Sequence, residues 1–131
     1  MATDMQLVSD VTFEAAADLS TKQFYFVKLS AANTVTVCNG ATDVPCGILQ
    51  NKPSAAGRPA VVRMFGISKV SADAAITVGA LIGTSADGQA DIKLAGTDTT
   101  QYVVGVALTA CSNAGEIVEV SLNCMNPHRA A

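Results

Sequence analysis

The stretch LSAAN, Leu29–Asn33, is echoed by TSADG, Thr84–Gly88. Around this echo, VKLSAANTVTVC (Val27–Cys38) lies over IGTSADGQADIK (Ile82–Lys93) at a shift of 55 residues, which puts Ser30 on Ser85, Ala31 on Ala86 and Val37 on Ile92. Further on, CGILQNKPSAAGRPAVVRM (Cys46–Met64) lies over VGVALTACSNAGEIVEVSL (Val104–Leu122) at a shift of 58 with no gap. Gly47 meets Gly105, Ile48 meets Val106, Ser54 meets Ser112, and Ala56-Gly57 meets Ala114-Gly115. The change of shift falls in a loop, where insertions are tolerated. One short echo is expected by chance in an Ala-rich chain, whereas two colinear ones read as a duplication. The expected fold is therefore a single all-β domain over 15–124, a small β-barrel or β-sandwich built from two repeated β units at about 24–66 and 80–124. An extended N-terminal arm over 1–14 and a C-terminal tail over 125–131 flank it.

Periodicity supports strands in each copy. In GEIVEVSLNC, Val118, Val120, Leu122 and Cys124 alternate with Ile117, Glu119, Ser121 and Asn123, the period of a half-buried strand. PAVVRMF places Ala60, Val62 and Met64 on the matching face, with Val61, Arg63 and Phe65 opposite. QYVVGVAL reads as one strand with Tyr102, Val104, Val106 and Leu108 on one face and Val103, Gly105 and Ala107 on the other. The segments between are turn chemistry: Gly and Asn accept positive φ, and Ser and Asp bond their own backbone.

Composition excludes several functions. Of 131 residues, half are hydrophobic, Trp is absent and the net charge is −3. No basic run offers a grip on phosphates, so nucleic acid is not an expected partner. No apolar stretch has the length of a membrane span, and MATDMQLVSD lacks the layout of a secretory signal, so no membrane partner and synthesis in a cytoplasm are expected. Cys38, Cys46, Cys111 and Cys124 match no zinc spacing, and His128 is the single histidine. Free thiols are expected, with Cys46 and Cys124 on apolar strand faces and Cys38 and Cys111 nearer the surface. A cysteine nucleophile would need a base beside it, and His128 follows Pro127 near the end of the chain. DGQAD around Asp87 and Asp91 lacks the ligand series of a calcium loop. GTSADG lacks the Lys-Ser/Thr of a phosphate loop. Glu14, Asp18 and Asp43 suggest no paired-carboxylate site. No enzyme, metal or cofactor is expected. A sugar-binding module would need an aromatic platform, and Tyr25 and Tyr102 read as core or interface residues instead.

The N-terminal stretch MQLVSDVTFE is the candidate contact site. Met5, Leu7, Val11 and Phe13 share one face at period two. It reads either as an edge strand of the chain's own sheet or as an arm that adds to a neighbour's sheet, where backbone bonds supply affinity.

Read together, AAADLSTKQFYFVKLSAANTVTV, PCGILQNKPSAAGRPAVVRMFG, ITVGALIGTSADGQA and YVVGVALTACSNAGEIVEVSL resemble the head-decoration, or capsid cement, proteins of tailed bacteriophages. The resemblance covers about Ala15 to Leu122. It implies a β-rich, non-enzymatic virion protein that binds the major capsid protein, sits as a homotrimer on the outer capsid surface, and stabilises it. A β-domain of a tail or fibre and a carbohydrate-binding module are the alternatives.

Overall fold

The computed structural model describes residues 8–131. Its strands, in chain order, are β1 (Ser9–Ala15), β2 (Phe26–Ala31), β3 (Thr34–Val37), β4 (Gly47–Leu49), β5 (Pro59–Ser71), β6 (Leu81–Thr84), β7 (Ala90–Ile92), β8 (Tyr102–Val103), β9 (Gly105–Ala107), β10 (Ile117–Asn123) and β11 (His128–Arg129). No helix occurs among the described residues. The first five strands pair in the order β1-β3-β2-β4-β5, and β5 returns to pair with β1, which closes a small barrel. Within this ring β1 runs parallel to β3, and every other pairing is antiparallel. Closure removes the sheet edges that short strands would otherwise expose.

The sheet then continues from β5 through β10, β9 and β6 to β7. The same order of pairings recurs along this second course. Ala72, just past β5, bridges in parallel to Ala90, as Ala15 pairs in parallel with Val35. Residue by residue, the 58-residue shift carries β4 onto β9 and Pro59–Phe65 onto β10, and the 55-residue shift carries the start of β2 onto β6. Backbone bonds follow suit. The Ala15 N–H donates to Arg58 O at 2.9 Å and the Ala72 N–H to Glu116 O at 2.8 Å, while the Gly57 N–H donates to Ala15 O and the Gly115 N–H to Ala72 O, both at 2.8 Å.

Two pairs of aligned residues occupy matching places in the two courses. In LSAAN and TSADG, Asn33 and Gly88 occupy the same turn position with φ of 54° and 81°, a conformation that Asn and Gly adopt at least cost. Gly47 and Gly105 start β4 and β9 under close backbone. A Cβ at Gly105 would lie 2.5 Å from Val120 Cγ1 and 2.6 Å from Ser121 O, and one at Gly47 would meet Val62 and lie 2.5 Å from Arg63 O. Only glycine lets these strands approach so closely.

Two buried clusters fill the fold. One, in the first ring, comprises Ala15, Leu19, Val27, Val35, Leu49, Ala60 and Val62, with Phe13, Cys46 and Met64 packed against it. The other holds Val70, Ile76, Ile82, Val104, Ala107, Val118, Val120 and Leu122 from the second course, and it also takes in Phe26 and Ile48 from the first. The face expected on β10 is observed: Val118, Val120, Leu122 and Cys124 are buried, and their alternates are exposed.

Several expectations are corrected. Residues 9–14, read as part of an extended arm, belong to β1 and pair with β5 from Ser9↔Phe65 to Glu14↔Pro59. The ring cannot close without them. QYVVGVAL is not one strand. It breaks at Val104 into β8 and β9, because β8 leaves the main sheet to pair with β11. Beyond the break Ala107 is buried while Val106 and Leu108 are exposed, so Val106 and Leu108 no longer share a face with the buried Val104. The C-terminal tail forms β11, and Ala130 is buried where its N–H donates to Gln101 O at 3.0 Å. One expected thiol exposure is overturned: Cys38 is buried in the second cluster, while Cys46 is half-buried, packed against the first.

All four cysteines are free. Burial pushes the Cys38 thiol up to about 12 and the Cys46 thiol up to about 11, and it raises Cys124 as well. Cys111 is half-exposed, in the loop before the second Ala-Gly turn. A thiolate-selective alkylating reagent at mildly alkaline pH is therefore expected to label Cys111 first and the other three only on unfolding, as read by mass spectrometry of digests. The neutral thiols also link stability to pH. In the unfolded chain they ionise near 9.0, so the stability they contribute is whole below that pH and is lost as pH rises toward 11 to 12.

Candidate functional site

The candidate contact residues divide. Met5 and Leu7 lie outside the described residues. Val11 and Phe13 sit on β1, opposite Val62 and Ala60 of β5. Val11 is 38 % exposed, and Phe13 is half-buried against the first core cluster. Beside them Thr12, Phe13, Glu14, Asn33, Gly57 and Pro59 line a groove of about 480 Å³ along the seam between β1 and β3. The loops at Asn51–Pro59 and Ser112–Glu116 are a second candidate surface. One precedes the start of β5 and the other lies beside its end, so they stand at opposite ends of that strand.

β5 is sharply bent, and the bend organises this region. Gly66 takes φ of 113°, open to glycine alone at little cost. Across the bend, the Arg63 Nη1 donates to Ile67 O at 2.8 Å, a reach that a straight strand would not allow. The same guanidinium donates through Nε and Nη2 to the Asp10 carboxylate at 2.8 and 3.1 Å. A two-pronged pair of this kind fixes orientation as well as charge. Arg63 thus ties the start of β1 to the corner of β5.

Charged groups elsewhere are absorbed by local structure. Lys93 is a buried lysine whose ammonium donates to Thr84 O at 2.8 Å, to Asp91 at 3.2 Å and to the Gln101 side-chain carbonyl. Every proton of the ammonium has an acceptor, as a buried charge requires. Burial works against the Asp43 carboxylate, but the Lys28 ammonium at 2.9 Å and the N–H groups of Asn39 and Gly40 hold it below the usual range. Glu116 is likewise held low by the Asn113 and Ser112 N–H groups, each at 2.8 Å. Burial, followed by the charges of Asp87 and Asp91, raises Asp73.

Among the described residues no set of His, Cys, Asp and Glu is placed to hold a metal. His128, on β11, pairs with Val103. Each tyrosine is half-buried with a cation over its ring: the Lys22 ammonium stands 4.9 Å over Tyr25 and the Arg129 guanidinium 5.8 Å over Tyr102. Sequence reasoning missed Lys93, the Arg63 clasp and the strand role of His128-Arg129. The Arg63 clasp and the β11 pairing join residues far apart in the chain, which no local pattern carries, whereas the Lys93 acceptors Thr84, Asp91 and Gln101 are near in sequence but are brought together only by the fold.

The closed β fold carries shallow surface grooves and exposed apolar side chains, among them Val11, Val78 and Val106. The fold resembles the solved structure of the N base of head fiber gp8.5 in bacteriophage phi29, with a TM-score of 0.63 and 18 % identity over 90 % of this chain and 96 % of that one. The search of curated proteins finds no match. A family model described as phage cement protein matches residues 3–122. That match spans both courses of the sheet, and the chain belongs to the phage cement protein family.

Proposed function

We propose that this protein binds the outer surface of an assembled bacteriophage head and stiffens it, without catalysis and without a cofactor. The observation that carries this reading is the family match over residues 3–122. The major capsid protein is the partner in this proposal, and homotrimers multiply the strength of each contact. Apolar burial supplies the binding energy. Met5 and Leu7, together with Val11 and Phe13, form the proposed capsid or subunit contact, a reading supported by the exposure of Val11 and by the open groove that Phe13 lines.

Thermal or chelator-induced rupture of purified heads, with and without the protein at full occupancy, tests the reading. Decorated heads are expected to rupture at higher temperature, with bound protein at a fixed copy number. Superimposable rupture curves at full occupancy would sink it. A second reading draws on the likeness to a head fiber base: the chain then seats an appendage on the head. Saturable binding without any gain in rupture resistance favours that alternative.

A further inference from the structure

The two courses of the sheet differ at one seam. In the first, the Glu14 N–H donates directly to Asn33 O at 2.8 Å. The aligned residues of the second course, Ser71 and Gly88, do not bond each other. Instead the Ser71 N–H donates to Phe24 O at 2.9 Å, and the Phe26 N–H donates to Gly88 O at 2.7 Å. The segment Phe24–Phe26 is inserted between them. Phe26 and its register partner Ile48 are both 0 % exposed, buried in the core of the second course.

The shifts of 55 and 58 carry Phe24–Phe26 onto Gly79–Leu81, and Ile48 onto Val106. The correspondence holds in detail. Leu81 and Val106 are register partners, as Phe26 and Ile48 are. The Gly79 N–H donates to Ala107 O as the Phe24 N–H donates to Leu49 O. Yet nothing covers this second face among the described residues. Val78 is 66 % and Val106 37 % exposed, and Leu81 is half-buried. The receiving side is also uncovered. Val70, fully buried in the second course, aligns with Phe13, which stays half-buried beside the 480 Å³ groove at the Glu14–Asn33 seam.

We infer that the Val78–Leu81 and Val106 face is a docking surface for a second copy of this chain, and that it seats on that copy's seam at Thr12, Phe13, Glu14 and Asn33. The contact repeats between chains the insertion already made within one. The Glu14–Asn33 bond opens and is remade as two bonds through the incoming strand, so no backbone group is left unpaired. Because the two faces differ, the contact is head-to-tail and leads to a closed ring or an open filament. It deepens the self-association in the proposed function but does not depend on head binding.

Free protein tests it, by sedimentation velocity and light scattering of the full chain. The unaltered protein is expected to form a species of more than one copy. Val106→Asp and Thr12→Arg change exposed strand positions, and each is expected to yield monomers, weakening association at least about tenfold, a typical scale for a charge at an apolar contact. Mixed in equal amounts, the two variants are expected to form a one-to-one heterodimer, because each keeps one intact face. Circular dichroism checks that both are folded, and Val78→Asp replaces Val106→Asp if that variant is not. A monomeric unaltered protein, variants that associate like it, or a mixture that stays monomeric would each overturn the proposal. Head binding by a monomer would leave the cement reading standing without it.

Discussion

Deleting Met1–Phe13 is expected to unfold the first ring, with loss of the cooperative melting transition and rapid proteolysis within residues 15–65. β1 contributes six pairings to β5 and two to β3, and the deletion removes most of them. Each net hydrogen bond is worth about 1 kcal/mol, and the half-buried Phe13 adds part of the roughly 1.5–3 kcal/mol of a fully buried side chain. Such a sum rivals the about 5–15 kcal/mol that holds a domain of this size folded. It also strips the edge of β5, which invites aggregation. Deleting only Met1–Leu7 leaves β1 whole and is expected to keep the melting transition. If Met5 and Leu7 carry the proposed contact, this shorter deletion weakens head binding by about tenfold or more, on the scale of one or two buried apolar side chains. A folded Met1–Leu7 deletion that decorates heads with unchanged affinity moves the contact to the loops at 51–59 and 112–116. A stable, cooperatively melting deletion through Phe13 would contradict the role given to β1.

Phe26→Ala is expected to cost about 3–5 kcal/mol, the range for emptying a buried phenylalanine site. Phe26 is 0 % exposed and reaches from β2 into the core of the second course, so the void opens where the two halves meet. Chemical denaturation should show a lower midpoint. Leu81→Ala at the aligned position, half-buried and uncovered, should cost well under half as much in dilute protein. Equal losses at the two positions would mean that Leu81 is packed as tightly as Phe26, contrary to the observed burial.

Much of the fold was legible. The alternation in Ile117–Asn123 and the turn residues at Asn33 and Gly88 are local signals, and local signals survive in sequence. The shift of 58 placed Gly47 over Gly105, two positions where backbone packing admits no side chain. The misreadings share a cause. The strand ending of QYVVGVAL at Val104 depends on β11, far along the chain. Cys38 is buried by the second course rather than by its own hairpin. The stretch Ser9–Ala15 alternates equally well as an arm or as a ring strand, and only its pairing with β5 decides between them. Of the candidate site, the apolar character of Val11 and Phe13 was legible, but the groove beside them arises from Asn33, Gly57 and Pro59 on other elements.

The inserted segment Phe24–Phe26 has a consequence for how the chain reaches its final state. Ribosomes deliver the N-terminal half first, and domains tend to fold as they emerge. β1 to β4 and the start of β5 can therefore pair while the rest is still being made, with Phe24 already anchored by its N–H to Leu49 O at 2.7 Å. Ser71 and Gly88 then arrive at a finished strand end that presents the bonds they need. The first half acts as a template for the second. Refolding from denaturant lacks this timetable: both halves search at once, and the Phe24–Phe26 strand of one molecule can satisfy the Ser71–Gly88 gap of another. Concentrated refolding thereby favours exchanged, entangled chains over the product of synthesis.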